Sequence, residues 1–352
     1  MKNLFLLLFL LLFGVMQIQA EPPFRVLFYN TENLFDYRDD TLKNDNEFLP
    51  DSPRHWTFYR YRQKLIQLSK LIMAAGEGVV PALIGLCEVE NDSVMTDLFR
   101  LTPLRESGYR YFITKSPDER GINVALLYKR NLFRPIISRH HRIRVPDGFR
   151  PTRDILQVSG EIAGKDTLDV FVCHFPSRSG GEKKSRPARL AANKKLKAVT
   201  DSLFSIRTKP LLLVMGDFND YPMDKVQRET LHLRRPGKHP ARDTLYNLMS
   251  RLPKEKGSHK YNGEWGYLDQ FFVSGDLLNT HSDPFIGHYR VFEAPFLLTE
   301  DTKMFGLRPL RTYYGYKHEG GFSDHLPILL DIMRKHQKEY DNPNVGAKAV
   351  VE

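Results

Sequence analysis

The chain has 352 residues, of which 41% are hydrophobic, and it carries 52 Lys and Arg against 42 Asp and Glu, a formal net charge of +10. This length supports a substantial buried core, and the lack of a Cys/His ligand cluster argues against a structural zinc protein. The positive balance fits polyanionic or phosphorylated substrates, with simple solubility as the alternative explanation.

Residues 1–20 have the pattern of a secretory signal peptide. Lys2 precedes an apolar run from Leu4 to Val15, and the small residue Ala20 ends the segment. The run is well short of the ~20 residues that cross a bilayer, so we predict cleavage after Ala20 rather than an uncleaved anchor. The mature protein is then expected to be secreted or periplasmic and to have no transmembrane segment.

Residues 21–335 are predicted to form one domain, because no Gly/Ser-rich or Pro-rich linker and no internal repeat divides them. Residues 336–352 are expected to be a polar, poorly ordered tail. Within the domain, apolar runs between turn signals predict buried strands, and amphipathic periodicity predicts at least two helices. In chain order these are a strand at Phe24–Tyr29, a helix at Thr57–Gly76, strands at Ala82–Cys87, Val124–Tyr128 and Leu168–Cys173, a helix at Pro187–Phe204, and strands at Leu211–Met215, Gln270–Val273 and Leu326–Ile332.

The first predicted helix shows its periodicity clearly. Tyr61, Leu65, Leu68 and Ile72 fall at i, i+4, i+7 and i+11, and basic residues that include Lys64 are interleaved between them. Strands mixed with a few amphipathic helices indicate a layered α/β architecture in which helices cover the sheet faces.

Two further features leave alternatives open. The segment from Lys129 to Arg153 is dense in Lys, Arg and His, and it is either a strip that faces phosphates or a solvated hairpin. Cys87 and Cys173 each end an apolar run. Buried free thiols are expected there, and a disulfide is the alternative in an oxidising compartment.

Residues able to bind a metal or transfer a proton stand where the apolar runs begin or end. In Gly216-Asp217-Phe218-Asn219, the alternation of strand side chains points Asp217 and Asn219 the same way and Phe218 into the core. Ordinary turn residues are the alternative interpretation of this stretch. Gathered at one edge, the strand ends would form a site. The full set is Asn30, Glu32, Glu88, His174, Asp217, Asn219, Asp269, Asp324 and His325.

In this order the motifs resemble those of the endonuclease/exonuclease/phosphatase superfamily, which includes pancreatic-type DNases, abasic-site endonucleases, inositol polyphosphate 5-phosphatases and neutral sphingomyelinases. The resemblance spans Phe24 to about Ile332. It implies an α/β fold of the DNase-like type, a four-layer α-β-β-α sandwich of two packed mixed β-sheets flanked by helices. It also implies a divalent-metal phosphoesterase site at one edge of the sandwich. No inositide-phosphatase specificity motif is present.

The resemblance also implies roles for individual residues. The implied metal ligands are Glu32, Glu88 and Asp324. Oxygen ligands of this kind suit Mg²⁺, with Mn²⁺ or Ca²⁺ as alternatives. The residues chosen for substrate binding are Asn30, Arg178 and Arg311. Arginine offers phosphate a bidentate fork, although each arginine is equally explained as a surface or loop-anchoring residue.

The implied catalytic residues are His174, Asp217, Asn219, Asp269 and His325. Asp217 would orient or deprotonate the attacking water, and Asn219 would donate to a phosphoryl oxygen. His325 would act either as the general base or as a protonated phosphate clamp, with Asp269 fixing its tautomer. His174 would lie across the phosphate as a second donor or acid.

These expectations favour an exported, divalent-metal-dependent phosphodiesterase that acts on nucleic acid, with DNA as the leading substrate and an endonuclease as the leading activity. A phospholipid or small phosphate ester is the alternative substrate. A non-catalytic binding module on this fold would be expected to lack Glu88, Asp217, Asp269 or His325, and all four are present. We expect a monomer without a stable protein partner.

Overall fold

The computed structural model describes residues 22–162, 166–253 and 255–335. The expected signal peptide at 1–20 and the expected tail at 336–352 lie outside the described residues. Within the described ranges, none of the helices has the length and apolar character needed to cross a bilayer.

Five α-helices and four short 3-10 helices accompany the strands in the described ranges. The α-helices are α1 (Phe58–Gly76), α2 (Asp92–Arg100), α3 (Glu182–Ile206), α4 (Lys225–Leu231) and α5 (Gly275–Leu278). The 3-10 helices are Asn46–Phe48, Pro103–Ser107, Leu248–Arg251 and Pro295–Leu297.

Twelve strands form two six-stranded sheets, and six short strands form three separate hairpins. The strands are β1 (Phe24–Leu34), β2 (Leu83–Val89), β3 (Tyr109–Ile113), β4 (Asn123–Lys129), β5 (Phe133–His141), β6 (Ile155–Ile162), β7 (Asp166–His174), β8 (Leu211–Asp217), β9 (Leu245–Asn247), β10 (His259–Tyr261), β11 (Glu264–Gly266), β12 (Asp269–Ser274), β13 (Phe285–Val291), β14 (Leu298–Glu300), β15 (Leu307–Pro309), β16 (Tyr313–Tyr314), β17 (Lys317–His318) and β18 (Ile328–Met333).

Both large sheets are mixed. The first has the order β13-β18-β1-β2-β4-β3, and the second has the order β5-β6-β7-β8-β12-β9. The parallel pairs are β1 with β2 and β7 with β8, whereas the other pairs in both sheets are antiparallel. Each sheet therefore has a parallel pair near its centre whose carboxyl ends meet at one edge.

Strand alternation distributes the apolar side chains among three cores. In β1, Val26 and Phe28 point between the two sheets, while Leu27 and Tyr29 point outward against α1 and α2. In β8, Leu213 likewise faces the other sheet, and its neighbours face α3. The layers are thus helix, sheet, sheet and helix, which confirms the predicted α-β-β-α sandwich.

All seven predicted strands and both predicted helices are present, with differences at their ends. Helix α3 begins at Glu182, before the predicted start at Pro187. The added turn is polar and gives no apolar period. Pro187 lies inside the helix, where it removes one intrahelical hydrogen bond, so a helix that began at the proline was the simpler prediction. Strand β6 was not predicted because buried polar residues interrupt its apolar pattern. One of them, Gln157, bonds to Ser159.

The basic segment from Lys129 to Arg153 contains the edge strand β5 and the loop that leads to β6, and several of its arginines are ion-paired. Arg142 pairs with Asp154, and the buried Arg153 pairs with Asp118. Most of β5 is exposed, as the solvated-hairpin interpretation expects. Cys87 and Cys173 are both buried free thiols.

A buried carboxyl group at the end of β2 gives a pH-dependent prediction. Burial raises the pKa of Glu90 from 4.5 to about 8, although the N–H of Asp36 donates to its carboxylate at 2.6 Å. Between these values the folded chain holds a proton that the unfolded chain releases. The stabilising contribution of Glu90 is therefore full below pH 4.5 and is lost as the pH rises through 8.

Glu90→Gln keeps an acceptor for Asp36 but cannot titrate. We expect its free energy of unfolding, measured by urea titration, to rise relative to wild type by up to about 1.4 kcal/mol per pH unit between these pKa values. Parallel stability curves for the two proteins from pH 5 to 8 would contradict this assignment.

Candidate active site

The candidate site lies at the edge of the sandwich where the carboxyl ends of the two parallel pairs meet. His174 and Asp217 end β7 and β8 side by side in register, and Asp269 opens the antiparallel β12 directly opposite Asp217. From the other sheet, β1 brings Asn30, and the segment before β18 brings His325. Residues far apart in the sequence therefore share one edge, as expected for side chains at neighbouring strand ends.

Alternation turns several of these side chains into the gap between the sheets. Met215 and Phe271 fill that gap, so Asp217 and Asp269 point into its open end two residues further along. Phe218 points the opposite way, into the core beneath α3, as predicted. Gly216 is required here because a Cβ would lie 2.5 Å from the carbonyl oxygen of Cys173 on the neighbouring strand.

Glu88 and Glu32 reach the site by irregular backbone rather than by alternation. The β1–β2 pairing and the β2–β4 pairing both shift register at this end, and Glu88 and Glu32 have φ of 59° and 49°. Left-handed backbone is costly for a non-glycine residue and clusters at functional sites. The turn at Glu88 places its carboxylate 3.4 Å from the amide of Asn30 and 3.7 Å from Nε2 of His174.

The polar contacts converge on the carboxylate of Asp217. Its Oδ2 accepts a hydrogen bond from Nδ2 of Asn30 at 3.1 Å and lies 3.7 Å from Nε2 of His174 and 3.9 Å from Nε2 of His325. The other ring nitrogen of His325, Nδ1, is 2.6 Å from Oδ2 of Asp269. The carboxylate of Asp269 thus orients His325, and both histidines face Asp217 at distances just beyond a direct hydrogen bond.

The two histidines have opposite electrostatic surroundings. Burial alone would lower the pKa of His325, but the charges of Asp269, Asp324 and Asp217 outweigh burial and raise it to about 10. Burial, helped by Arg153, holds the pKa of His174 well below its usual value. At neutral pH His325 is therefore an imidazolium and His174 a neutral imidazole.

The acidic residues also influence one another. Burial raises the pKa of Asp217 to about 7; His325 opposes this shift and Asp269 adds to it. Burial followed by the charge of Asp324 raises the pKa of Glu32 to about 7. A divalent cation would oppose both shifts by neutralising the cluster, and carboxylate and amide oxygens are ligands that Mg²⁺ accepts. The donor set fits such an ion.

Groups of potential metal ligands within the described residues overlap only partly with the predicted ligands. One group joins His259, Asp324 and His325, and another joins Asp217, Asp269 and His325, with ligand atoms within 4.8 Å of one another. Asp324 belongs to the first group. Glu32 is held instead by the N–H of Thr312 at 2.7 Å.

Three of the predicted residues make contacts with the surrounding loops. Asn219 donates through Nδ2 to the carbonyl of Phe175 at 3.1 Å. Arg178 contacts the loop after β8, bonding to the carbonyl of Asn219 at 2.8 Å and pairing with Asp220 at 3.2 Å. Arg311 lies 3.4 Å from Asp324, at the site.

Two residues at the site were not predicted. Lys64 of α1 is buried, and its ammonium donates to the hydroxyl of Thr312 and the carbonyl of Phe322. Its spacing on an amphipathic helix indicated a solvated residue. The ring of His259 lies 4.7 Å from that of His325. His259 is the first residue of β10, a short strand that has no apolar pattern. No signal in the sequence identifies either position.

Comparisons with known proteins agree with this fold. A family model described as Endonuclease/Exonuclease/phosphatase family matches residues 25–334. No curated protein sequence matches the chain. Among solved structures, zebrafish TDP2 humanized by 14 mutations is 13% identical, with 88% of this chain and 98% of that chain covered and a TM-score of 0.53.

Two other solved structures show the same likeness. The human nocturnin catalytic domain with bound sulfate is 17% identical, with coverage of 90% and 95% and a TM-score of 0.52. An endonuclease/exonuclease/phosphatase family protein of Bacteroides thetaiotaomicron is 13% identical, with coverage of 88% and 98% and a TM-score of 0.54. At these identities the likeness shows the fold. Because the family model spans every strand that carries a site residue, the chain belongs to the endonuclease/exonuclease/phosphatase family of phosphoester hydrolases.

Proposed function

We propose that this protein is an exported, divalent-metal-dependent phosphodiesterase that cleaves DNA as an endonuclease. The proposal depends on the arrangement of Asp269, His325 and Asp217. The carboxylate of Asp269 lies 2.6 Å from Nδ1 of His325, and Nε2 of the same ring faces the carboxylate of Asp217 at 3.9 Å. This arrangement holds the His325 imidazolium beside the Asp217 base, and hydrolysis of a phosphodiester requires both a cation and a base.

Each residue then has a defined task in the reaction. Asp217, whose Oδ2 faces both histidines, accepts the proton of the attacking water. The imidazolium of His325 donates to a phosphoryl oxygen and stabilises the charge that develops there. Asn30 holds Asp217 in place at 3.1 Å. His174, which faces the same carboxylate, lies where it can donate to the phosphate or to the leaving oxygen.

Glu88, Asp324 and Glu32 are the residues we assign to hold Mg²⁺ or a similar hard cation. Once bound, that ion would act as a Lewis acid on the phosphoryl group. The oxygen-rich donor set and the raised pKa values of Asp217 and Glu32 support this assignment.

Export is proposed on the pattern of residues 1–20, a basic start followed by a short apolar run. A moderately basic protein outside the cytoplasm suits a polyanionic substrate such as DNA. The same site chemistry would serve a phospholipid or a small phosphate ester, so the substrate must be established by measurement.

A substrate panel tests the function directly. Purified residues 21–352 are incubated with plasmid DNA, RNA, sphingomyelin vesicles and a chromogenic diester, each with Mg²⁺, Ca²⁺ or EDTA. We expect nicking of supercoiled DNA with Mg²⁺ and none with EDTA. Cleavage of lipid but not of DNA would replace the substrate, and cleavage in EDTA would contradict the metal-dependent mechanism.

A further inference from the structure

Residues 302–318 form a surface that the proposed chemistry does not use. This segment contains no Asp or Glu and carries Lys303, Arg308, Arg311 and Lys317. Aromatic residues alternate with these cations, at Phe305, Tyr313, Tyr314 and Tyr316. We call this segment the basic-aromatic strip.

The strip passes the candidate active site near its middle. The backbone N–H of Thr312 donates to the carboxylate of Glu32 at 2.7 Å, and Arg311 lies 3.4 Å from Asp324. From there β15 extends one way, paired with β14, and the hairpin of β16 and β17 extends the other way. A ligand that lies on the strip therefore continues directly into the site.

Three of the four cations of the strip lie against one aromatic ring. Tyr314 has Lys303 at 4.7 Å, Arg308 at 4.8 Å and Arg311 at 5.8 Å from its ring centre. Arg308 is also paired with Glu319. Lys303 forms no ion pair among the residues that the structure describes, so its charge is available to an anion.

Two other rings are open to solvent. Phe305 is 84% exposed at the turn between β14 and β15, and Tyr316 is 61% exposed in the turn between β16 and β17. Arg54 lies 5.2 Å from the ring centre of Tyr316 and donates to the carbonyl of Gly315 at 2.8 Å, which fixes that turn. Exposed apolar rings on a surface otherwise dense in cations indicate a binding surface.

We propose that the basic-aromatic strip binds single-stranded nucleic acid, with unpaired bases stacked on Phe305 and Tyr316 and phosphates near Lys303 and Arg311. Stacking rings set among cations are the features that bind single strands without sequence preference. A duplex keeps the faces of its bases stacked inside the helix, so exposed rings favour an unpaired strand. This inference rests on the proposed function and adds that the preferred substrate is unpaired around the cleaved phosphodiester.

The test measures binding separately from cleavage. Asp217→Asn protein is titrated into a fluorescein-labelled oligothymidine of about 15 nucleotides, and the Kd is read by anisotropy. Phe305→Ala and Tyr316→Ala are each expected to weaken binding about 5- to 100-fold. The logarithm of the association constant falls linearly with the logarithm of the salt concentration, and Lys303→Ala is expected to make this slope less steep by about 0.7.

Ile206→Ala is the control. Ile206 is 67% exposed at the end of α3. It lies near the start of β8, whereas the site lies at the other end of that strand, so its removal should leave the Kd unchanged. Tighter binding of a matched duplex, or unchanged affinity in Phe305→Ala and Tyr316→Ala, would contradict the proposed binding of single strands by the strip. Neither result would bear on DNA cleavage. Binding to phosphatidylserine vesicles that Phe305→Ala abolishes, with oligothymidine affinity unchanged, would also contradict the proposed binding of single strands. If the wild-type chain neither cleaves DNA nor binds the oligonucleotide, the proposed function itself fails.

Discussion

Replacing Asp269 with asparagine is expected to lower kcat on the diester substrate by about three to four orders of magnitude without unfolding the protein. The carboxylate of Asp269 is 2.6 Å from Nδ1 of His325 and is the leading charge that raises the pKa of that ring to about 10. Asparagine has nearly the same size but no charge, and its amide can present a donor to Nδ1. His325 would then lose both its fixed tautomer and its proton.

A steady-state kcat and an NMR titration of His325 together check this prediction. The pKa of His325 is expected to fall in Asp269→Asn, a change that a purely structural role of Asp269 would not produce. Asp169→Asn is the matched control, because Asp169 is also buried and bonded, to Arg207 at 2.8 Å, but lies in the first half of β7, away from His174. It should lose stability and keep kcat per folded molecule. A kcat within tenfold of wild type in Asp269→Asn would contradict the assigned role.

The strands and their functional ends were predictable because they depend on local rules. An apolar run that ends at Asp217 or His174 places that polar side chain at the edge of the sheet, and alternation determines which way each side chain points. The meeting of these ends at one edge follows from parallel pairing of neighbouring strands, which the family resemblance implied. Phe218 beneath α3 shows alternation acting as expected.

Glu88 shows where those rules stop. Leu86 faces the helices, so strict alternation would turn Glu88 toward them as well. The shift in register and the φ of 59° break the alternation and turn the carboxylate to the site. A bulge of this kind depends on the partner strands, which a single segment does not reveal.

Lys64 could not be identified for a related reason. Its partners, Thr312 and Phe322, lie about 250 residues further along the chain. Helical periodicity places a lysine beside an apolar stripe, but burial depends on whether a distant loop supplies acceptors for its ammonium. Long-range contacts of this kind are specified by the whole fold.

Arg25→Met is expected to lower the free energy of unfolding by about 3–5 kcal/mol. Arg25 of β1 and Asp331 of β18 are both buried and lie opposite each other in the antiparallel β1–β18 pair. Their side chains form two hydrogen bonds, at 2.7 and 2.9 Å. Arg25 also donates to the carbonyl of Gly76, the last residue of α1, at 2.6 Å. Methionine would leave a buried carboxylate without a partner and a helix end without a donor.

The double variant Arg25→Met/Asp331→Leu separates these two losses. Replacing a buried ion pair with apolar residues is often neutral, so the double variant should recover most of the stability. The shortfall measures the contacts of Arg25 with Gly76 and Glu77. If urea unfolding shows the double variant to be no more stable than Arg25→Met, the unpaired charge is not the cause. Five residues of extended strand, about 17 Å, separate Arg25 from Asn30. The folded fraction of every variant should therefore keep its wild-type kcat, because the ion pair holds β1, β18 and α1 together while the chemistry takes place at the other end of the same strands.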